Sequence, residues 1–241
     1  MMRTETTSAP VALVTGAAKR IGAEIVAYLH RAGFRVVIHC HQSQQTAATQ
    51  VARYNQQRAN SAHMIIADLC QPNVASQLMD EVIDWAGQCD LLVNNASIFS
   101  KHNDDWAALF ACNVHAPYDL SLAAYPHLVK TLGSIINITD IHAHKPLRGY
   151  AAYCQSKAAL AMQTQALAQE FAPVVRVNAI APGSIVWPEG NNQLAVDRQQ
   201  RVVAKTLLKR HGHPRYIAEA VLYLVNNDFV TGQSLSIDGG R

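Results

Sequence analysis

The sequence predicts an α/β protein built on one doubly wound, seven-stranded parallel sheet with helices on both faces. Short apolar runs alternate with longer helical stretches from Val11 to the C-terminus, the pattern of repeated βα units. A glycine turn follows the first run at once, where such sheets bind nucleotides. No internal repeat, low-complexity tract or linker divides the 241 residues, so one domain over 11–241 is expected, behind a loose polar tail over 1–10.

The seven strands are read, in order, at Val11 to Val14, Arg35 to His39, Ala62 to Ile66, Leu91 to Val93, Ser134 to Ile138, Arg176 to Ile180 and Ser234 to Ile237. Helices are read at Gly22 to Ala32, Gln71 to Ala86, Trp106 to Leu128 and Tyr150 to Phe171. Pro182, Gly183, Pro188, Gly190, Asn191 and Asn192 crowd into one stretch, which makes it a loop. It follows the sixth strand, and loops at that end of a parallel sheet surround the ligand crevice. A substrate loop over about 183–200 is one reading, and a plain surface connection is the other.

Composition narrows the function classes. With 49% hydrophobic and 15% charged residues the chain can bury a sizeable core. A net charge of +3 without basic runs does not suit a nucleic-acid surface. Cys40, Cys70, Cys89, Cys112 and Cys154 show neither a CxxC pair nor a disulfide framework, and no signal peptide is visible, so a cytoplasmic location is expected. No apolar run approaches the roughly 20 residues that span a bilayer. Paired histidines at 39/41, 142/144 and 211/213 lack carboxylate or cysteine companions at a metal-site spacing, and no metal is expected.

Thr15-Gly16-Ala17-Ala18-Lys19-Arg20-Ile21-Gly22 lies between the first strand and first helix, where backbone N–H groups and a helix N-terminus approach a pyrophosphate. Dinucleotide folds that take NAD place an acid about 20 residues further on, to hold the ribose 2′-hydroxyl. Here the strand ends in His39-Cys40-His41-Gln42-Ser43, and no acidic residue lies between Glu24 and Asp68. His41, Gln42 and Ser43 can donate to a 2′-phosphate, and Lys19 or Arg20 can supply charge, so NADPH is the expected cofactor. Asp68-Leu69 either meets the adenine or, through Asp68, caps the next helix.

Tyr153 and Lys157 stand four residues apart at the head of a helix, hence on one face. An ammonium there would lower a phenol pKa that starts near ~10, so that Tyr153 passes a proton near neutral pH.

The phosphate turn, Asn94-Asn95-Ala96-Ser97, Asn113, the Tyr153/Lys157 pair, Pro182-Gly183 and Asp238-Gly239-Gly240 resemble, in order and from Thr15 to Gly240, the short-chain dehydrogenase/reductases. The resemblance implies a Rossmann fold and a reductase. It implies a cofactor held by Gly16, Lys19, Arg20, Ile21, His41, Gln42, Ser43, Asp68, Leu69, Asn95, Ala96, Ser97, Tyr153, Lys157, Pro182, Gly183 and Ser184. Lys157 would also bind the nicotinamide ribose, and Asn113 would help hold a water relay. It further implies a homotetramer, with the helices from Trp106 and Tyr150 packing across subunits, where Ala151, Ala152, Ala158 and Ala159 permit close approach.

One departure matters most. Where members usually carry a serine thirteen residues before the tyrosine, this chain has Asp140. An ionised Asp140 would oppose an alkoxide growing ~4 Å away by up to ~4 kcal/mol at an effective dielectric of ~20, which disfavours ketone reduction. A carboxyl group suits a C=N acceptor, whose nitrogen needs a proton as the neighbouring carbon takes hydride. The other reading of Asp140 is a cap in a protein without catalysis.

Asp140 resembles the pteridine reductases of that family, as do Arg20 in the phosphate turn, Phe99 two residues after Ser97, and the segment with His39, His41 and Ser43. Gln42 replaces an arginine common there. The expected activity is NADPH-dependent reduction of a dihydropterin or dihydrofolate, with Asp140, Tyr153, Lys157 and Asn113 catalytic. Phe99 would stack on the ring, Arg20, Ser97, Asp140 and Tyr153 would bind it, and Trp187 would cover it. A reductase of 3-oxoacyl thioesters and a noncatalytic nucleotide sensor are the alternatives.

Overall fold

The computed structural model describes residues 9–101 and 105–241, so the tail expected over 1–10 falls outside it except for its last two residues. Pro10 is already part of the fold, since its carbonyl accepts from the Arg35 N–H at 2.8 Å.

Seven parallel strands form one sheet in the order β3-β2-β1-β4-β5-β6-β7. They are β1 Val11–Val14, β2 Arg35–Cys40, β3 Ala62–Ile66, β4 Leu91–Asn94, β5 Ser134–Ile138, β6 Arg176–Pro182 and β7 Ser234–Ile237. Every residue of β1, β4 and β5 is buried, which is why these strands read as continuous apolar runs rather than alternating ones. The helices are α1 Arg20–Arg31, α2 Gln44–Gln57, α3 Val74–Ala86, α4 Trp106–Phe110, α5 Ala116–Thr131, α6 Ala151–Phe171, α7 Val196–Lys205 and α8 Pro214–Asn226.

Two apolar layers sandwich the sheet. Ile25, Val26 and Leu29 of α1 meet Ile217, Val221 and Leu224 of α8 on one face. On the other, α3, α5 and α6 contribute Leu78, Met79, Val82, Leu120, Leu128 and Phe171. Register is fixed by pairings such as Leu13 with Val37 and with Leu92. The strand order reverses between β1 and β4, so the segments leaving their carboxyl ends, Thr15–Gly22 and Asn95–Phe99, flank the crevice where such sheets bind ligands.

The helix expected from Trp106 to Leu128 is interrupted by a π-helical turn at Ala111–His115. Pro117 has no N–H to give the Asn113 carbonyl, so the α-helical register cannot run through this point. The helix expected from Gln71 starts at Val74, because Asn73 sits at φ +60°. The substrate loop ends sooner than expected: after a 3₁₀ turn at Gly190–Asn192 the chain enters α7 at Val196.

Candidate active site

Asn95 and Thr15 knit the two lips of the crevice together. The Thr15 hydroxyl accepts from the N–H groups of Asn95 and Ala96 at 2.9 and 3.0 Å. The Asn95 amide donates back to the carbonyls of Thr15 and Gly16 at 2.9 and 3.0 Å. Gly16 turns at φ +59°, and a β-carbon there would stand 2.9 Å from the Ala96 Cα. On Gly22 it would stand 2.6 Å from both the Asn95 Nδ2 and the Gly16 oxygen. These glycines therefore keep a small-atom cradle open at the start of α1, whose first turn presents backbone donors without intrahelical partners.

His39, at the end of β2, is a strut of that cradle. Its Nδ1 accepts from the Gly16 N–H at 3.2 Å and its Nε2 donates to the Ala67 carbonyl at 3.1 Å. Burial lowers its pKa, which keeps the ring in the neutral form that this pattern requires. His41 and Gln42 lie exposed beyond it, and Ser43 precedes α2 without capping it. Lys19, before α1, is exposed as well. A 2′-phosphate would meet donors and no carboxylate here, so the residues present fit a phosphorylated dinucleotide. Asp68 caps the turn after β3: its carboxylate accepts from the Cys70 N–H at 3.1 Å and the Gln71 amide at 2.9 Å, and these bonds hold its pKa down. Leu69 beside it is buried.

The candidate catalytic residues gather on the turn after β5 and on α6. Tyr153 Oη donates to Asp140 Oδ2 at 2.7 Å. The same carboxylate, through Oδ1, caps the 3₁₀ turn Ile141–Ala143 by accepting from the His142 N–H at 2.8 Å. The capping reading and the reacting reading of Asp140 thus describe two oxygens of one side chain. Lys157 Nζ, also buried, donates to the Ile138 carbonyl at 3.0 Å.

The expected direction of the Tyr153 pKa is corrected. Its phenol is pushed well above its usual value by burial, by the Asp140 charge and by the hydrogen bond to Asp140. Lys157 lies 6.0 Å from the Tyr153 ring centre and is itself pushed down to about 8 by burial, against the opposing pull of Asp140. Burial and the Asp140 carboxylate together therefore outweigh the ammonium at the phenol, and Tyr153 is a neutral acid.

Asn113 sits in the π turn and is spent on the framework. Its amide accepts from the Ile98 N–H at 2.8 Å and donates to the Ile98 carbonyl and to Ser156 Oγ, both at 3.0 Å. It thereby ties the segment after β4 to α6.

Phe99 forms an aromatic cluster. It stacks on Tyr150 with ring centres 4.7 Å apart and 14° between planes, and meets Tyr153 edge-on at 4.8 Å and 89°. One Phe99 face is therefore covered by Tyr150, which precedes α6 and which the sequence did not single out as a site residue. Ser97 is exposed, with its hydroxyl toward the Ile98 carbonyl at 3.3 Å.

The loop after β6 reaches back over this region. Pro182 closes β6, and the Gly183 N–H donates to the Ile237 carbonyl at 3.0 Å. Arg241 Nη1 donates to Ser184 Oγ at 2.8 Å. Arg20 does not point its fork into the phosphate turn: it donates to the Trp187 carbonyl at 3.0 Å and pairs with Glu189 at 3.0 Å. At φ +58° its backbone turns the side chain out toward the loop. The Trp187 ring stacks on His211 at 4.2 Å and lines a surface hollow with Val196, Gln199 and Val203 of α7. Asn192 joins the loop to the aromatic cluster, accepting from Tyr150 Oη at 3.1 Å and donating to the Phe99 carbonyl at 2.8 Å.

Residues 16–241 match the family model described as enoyl-(acyl carrier protein) reductase. An uncharacterised oxidoreductase of Mycobacterium tuberculosis is 36% identical, covering 95% of this chain and 91% of that protein. Ketoacyl reductase 2 of the granaticin polyketide synthase of Streptomyces violaceoruber is 33% identical over 99% and 98%. Pteridine reductase 1 of Leishmania tarentolae is 33% identical over 98% of each. Among solved structures, a blue fluorescent protein from a metagenomic library, in complex with NADPH, superposes with a TM-score of 0.88 at 32% identity, over 96% of this chain and 97% of that one.

Proposed function

The chain belongs to the short-chain dehydrogenase/reductase family of oxidoreductases, and from that premise we propose that it reduces a ring C=N bond of a dihydropterin or dihydrofolate with NADPH. The observation that carries this reading is the 2.7 Å hydrogen bond between Tyr153 and the Asp140 carboxylate. NADPH supplies hydride to the carbon of that bond when bound. The protein supplies the proton. Tyr153 and Asp140 hold one proton between their oxygens, and a ring nitrogen gaining an electron pair is basic enough to draw it from a weak acid. Asp140 can also accept from amino and ring N–H donors of an aminopyrimidine, which orients the ring.

Lys157 brings a positive charge under the pair and is placed to donate to a ribose hydroxyl. Gly16 and Gly22 leave room for the diphosphate, Lys19, His41, Gln42 and Ser43 face the 2′-phosphate, and Asp68 and Leu69 border the adenine. Phe99, half-buried against Tyr150 and Tyr153, receives the substrate ring, with Ser97 beside it. Arg20 serves both ligands only if it leaves Glu189.

Purified protein is expected to oxidise NADPH when given dihydrobiopterin, dihydromonapterin or dihydrofolate. Absence of turnover with all three overturns the assignment. The relative named as a ketoacyl reductase supports a second reading, reduction of a 3-oxoacyl thioester. Turnover of acetoacetyl thioester by the wild-type protein, without turnover of pterins, would establish that reading instead. Cofactor binding without turnover of either class would identify a nucleotide sensor.

Trp106, Tyr118, Leu122 and Met162 expose apolar surface on α4, α5 and α6, which supports assembly into a homotetramer through these helices, and sedimentation showing only monomer would remove it. Among the described residues no helix is long and apolar enough to cross a membrane.

A further inference from the structure

We propose that Asn192 is a positioning residue that braces the Phe99–Tyr150 aromatic pair, one wall of the substrate slot, from the loop after β6. The proposal rests on the reading that the substrate ring lies against Phe99. Asn192 uses its amide in both directions, accepting at Oδ1 from Tyr150 Oη at 3.1 Å and donating from Nδ2 to the Phe99 carbonyl at 2.8 Å. Phe99 follows β4 and Tyr150 precedes α6, so this side chain adds a link from a third segment to two elements that Asn113 also joins. The two rings it joins are already stacked at 4.7 Å and 14°, and Phe99 is held edge-on to Tyr153. Fixing the Phe99 backbone and the Tyr150 hydroxyl together fixes the plane against which a flat substrate lies, relative to the Tyr153 oxygen.

The loop carrying Asn192 is secured at its other end by a different device. Arg20 donates to the Trp187 carbonyl and pairs with Glu189, so the segment 187–192 is held down at both ends. The two attachments differ in kind. Arg20 reaches the loop from the phosphate turn, whereas Asn192 engages the Phe99 carbonyl and the Tyr150 hydroxyl. The Asn192 attachment is thus the one that bears on the substrate side of the site.

An amide is required because the site asks for one donor and one acceptor at the same position. Asn192→Asp keeps the acceptor for Tyr150 and loses the donor to Phe99, Tyr150→Phe removes the other bond, and Asn192→Leu removes both. Steady-state kinetics with NADPH and a dihydropterin should show Asn192→Leu raising the substrate KM about tenfold, with kcat and the NADPH KM within about twofold of wild type. Asn192→Asp and Tyr150→Phe should each fall between, and their combination should match Asn192→Leu. A substrate KM unchanged in Asn192→Leu, or a parallel rise in both KM values with a fall in kcat, overturns the proposal. Hydrogen exchange of the segment 186–195 in the substrate-free protein provides a readout independent of which substrate is correct. Faster exchange in Asn192→Leu is expected, and exchange equal to wild type overturns the clamp. If the wild-type protein turns over no pterin, the functional reading fails by itself, while the exchange measurement still decides the clamp.

Discussion

Tyr153 Oη and Asp140 Oδ2 stand 2.7 Å apart, with the phenol donating to a carboxylate whose other oxygen is already engaged by the His142 N–H. The second bond orients Asp140, and the first makes Tyr153 a weaker acid than it would be beside Lys157 alone. The same negative charge would oppose an alkoxide growing beside it, which is why the pair favours the proposed C=N acceptor over a C=O one.

Asp140→Ser separates these roles. A serine hydroxyl cannot raise the phenol pKa by charge, and it offers no carboxylate to accept from amino and ring N–H donors. Turnover of dihydropterin is expected to fall by about 10²-fold or more, the range typical of a lost general acid. Any activity on a 3-oxoacyl thioester should rise in the same variant. Parallel steady-state assays of the two substrates check this, and equal losses on both would remove Asp140 from substrate choice.

Lys157 makes stability depend on pH. Its folded pKa of about 8 lies below the ordinary 10.5, so between these values the unfolded chain holds a proton that the folded protein has lost. Unfolding free energy therefore rises with pH in that window, and below about 8 the cost of the buried charge is fully present. From pH 8 to 9.5 the rise should be about 2 kcal/mol. Above 10 the raised pKa of Tyr153 works in the opposite direction, because the folded protein then holds the extra proton. Urea denaturation at the two pH values should show the rise in wild type and its loss in Lys157→Met.

Much of this was legible in the sequence, for identifiable reasons. Strands buried on both faces, such as β1 and β5, leave uninterrupted apolar runs. Asp140, Tyr153 and Lys157 fall within eighteen residues, inside one turn and one helix, so spacing alone brings them together. The helices α2 and α7 left a weaker trace: α2 buries only Ala47 and Tyr54, and α7 buries nothing. The roles of Arg20 and Asn192 were hidden because their partners lie 167 and 93 residues away in the chain. The direction of the Tyr153 pKa required knowing that burial and Asp140 together outweigh Lys157, a balance that spacing does not reveal.

Gly22→Ala tests the cradle. The new β-carbon would lie 2.6 Å from both the Asn95 Nδ2 and the Gly16 oxygen, so the bridge between the crevice lips must open. That bridge also holds the Thr15 and Gly16 carbonyls. A loss of about 1–3 kcal/mol of stability is expected, together with at least a tenfold weaker Kd for NADPH. Thermal melts with and without cofactor measure both. Undiminished NADPH affinity would show that the two lips need not stay joined to hold a dinucleotide.

Ser43→Asp tests the choice of cofactor. No acidic residue occupies the sequence between Glu24 and Asp68, and Ser43 stands before α2 with its hydroxyl uncommitted to the helix end. A carboxylate here would face the 2′-phosphate of NADPH and repel it, while it could accept from the 2′-hydroxyl of NADH. At this half-buried position beside exposed His41 and Gln42, solvent partly screens the repulsion, so a change of about 1–2 kcal/mol in relative affinity is expected, or roughly tenfold in the ratio of the two Kd values toward NADH. Fluorescence titration with each cofactor at two salt concentrations measures the ratio, and the shift should shrink as salt rises. An unchanged ratio would mean that the 2′-phosphate sits away from the end of β2, and that Lys19 alone accounts for the preference.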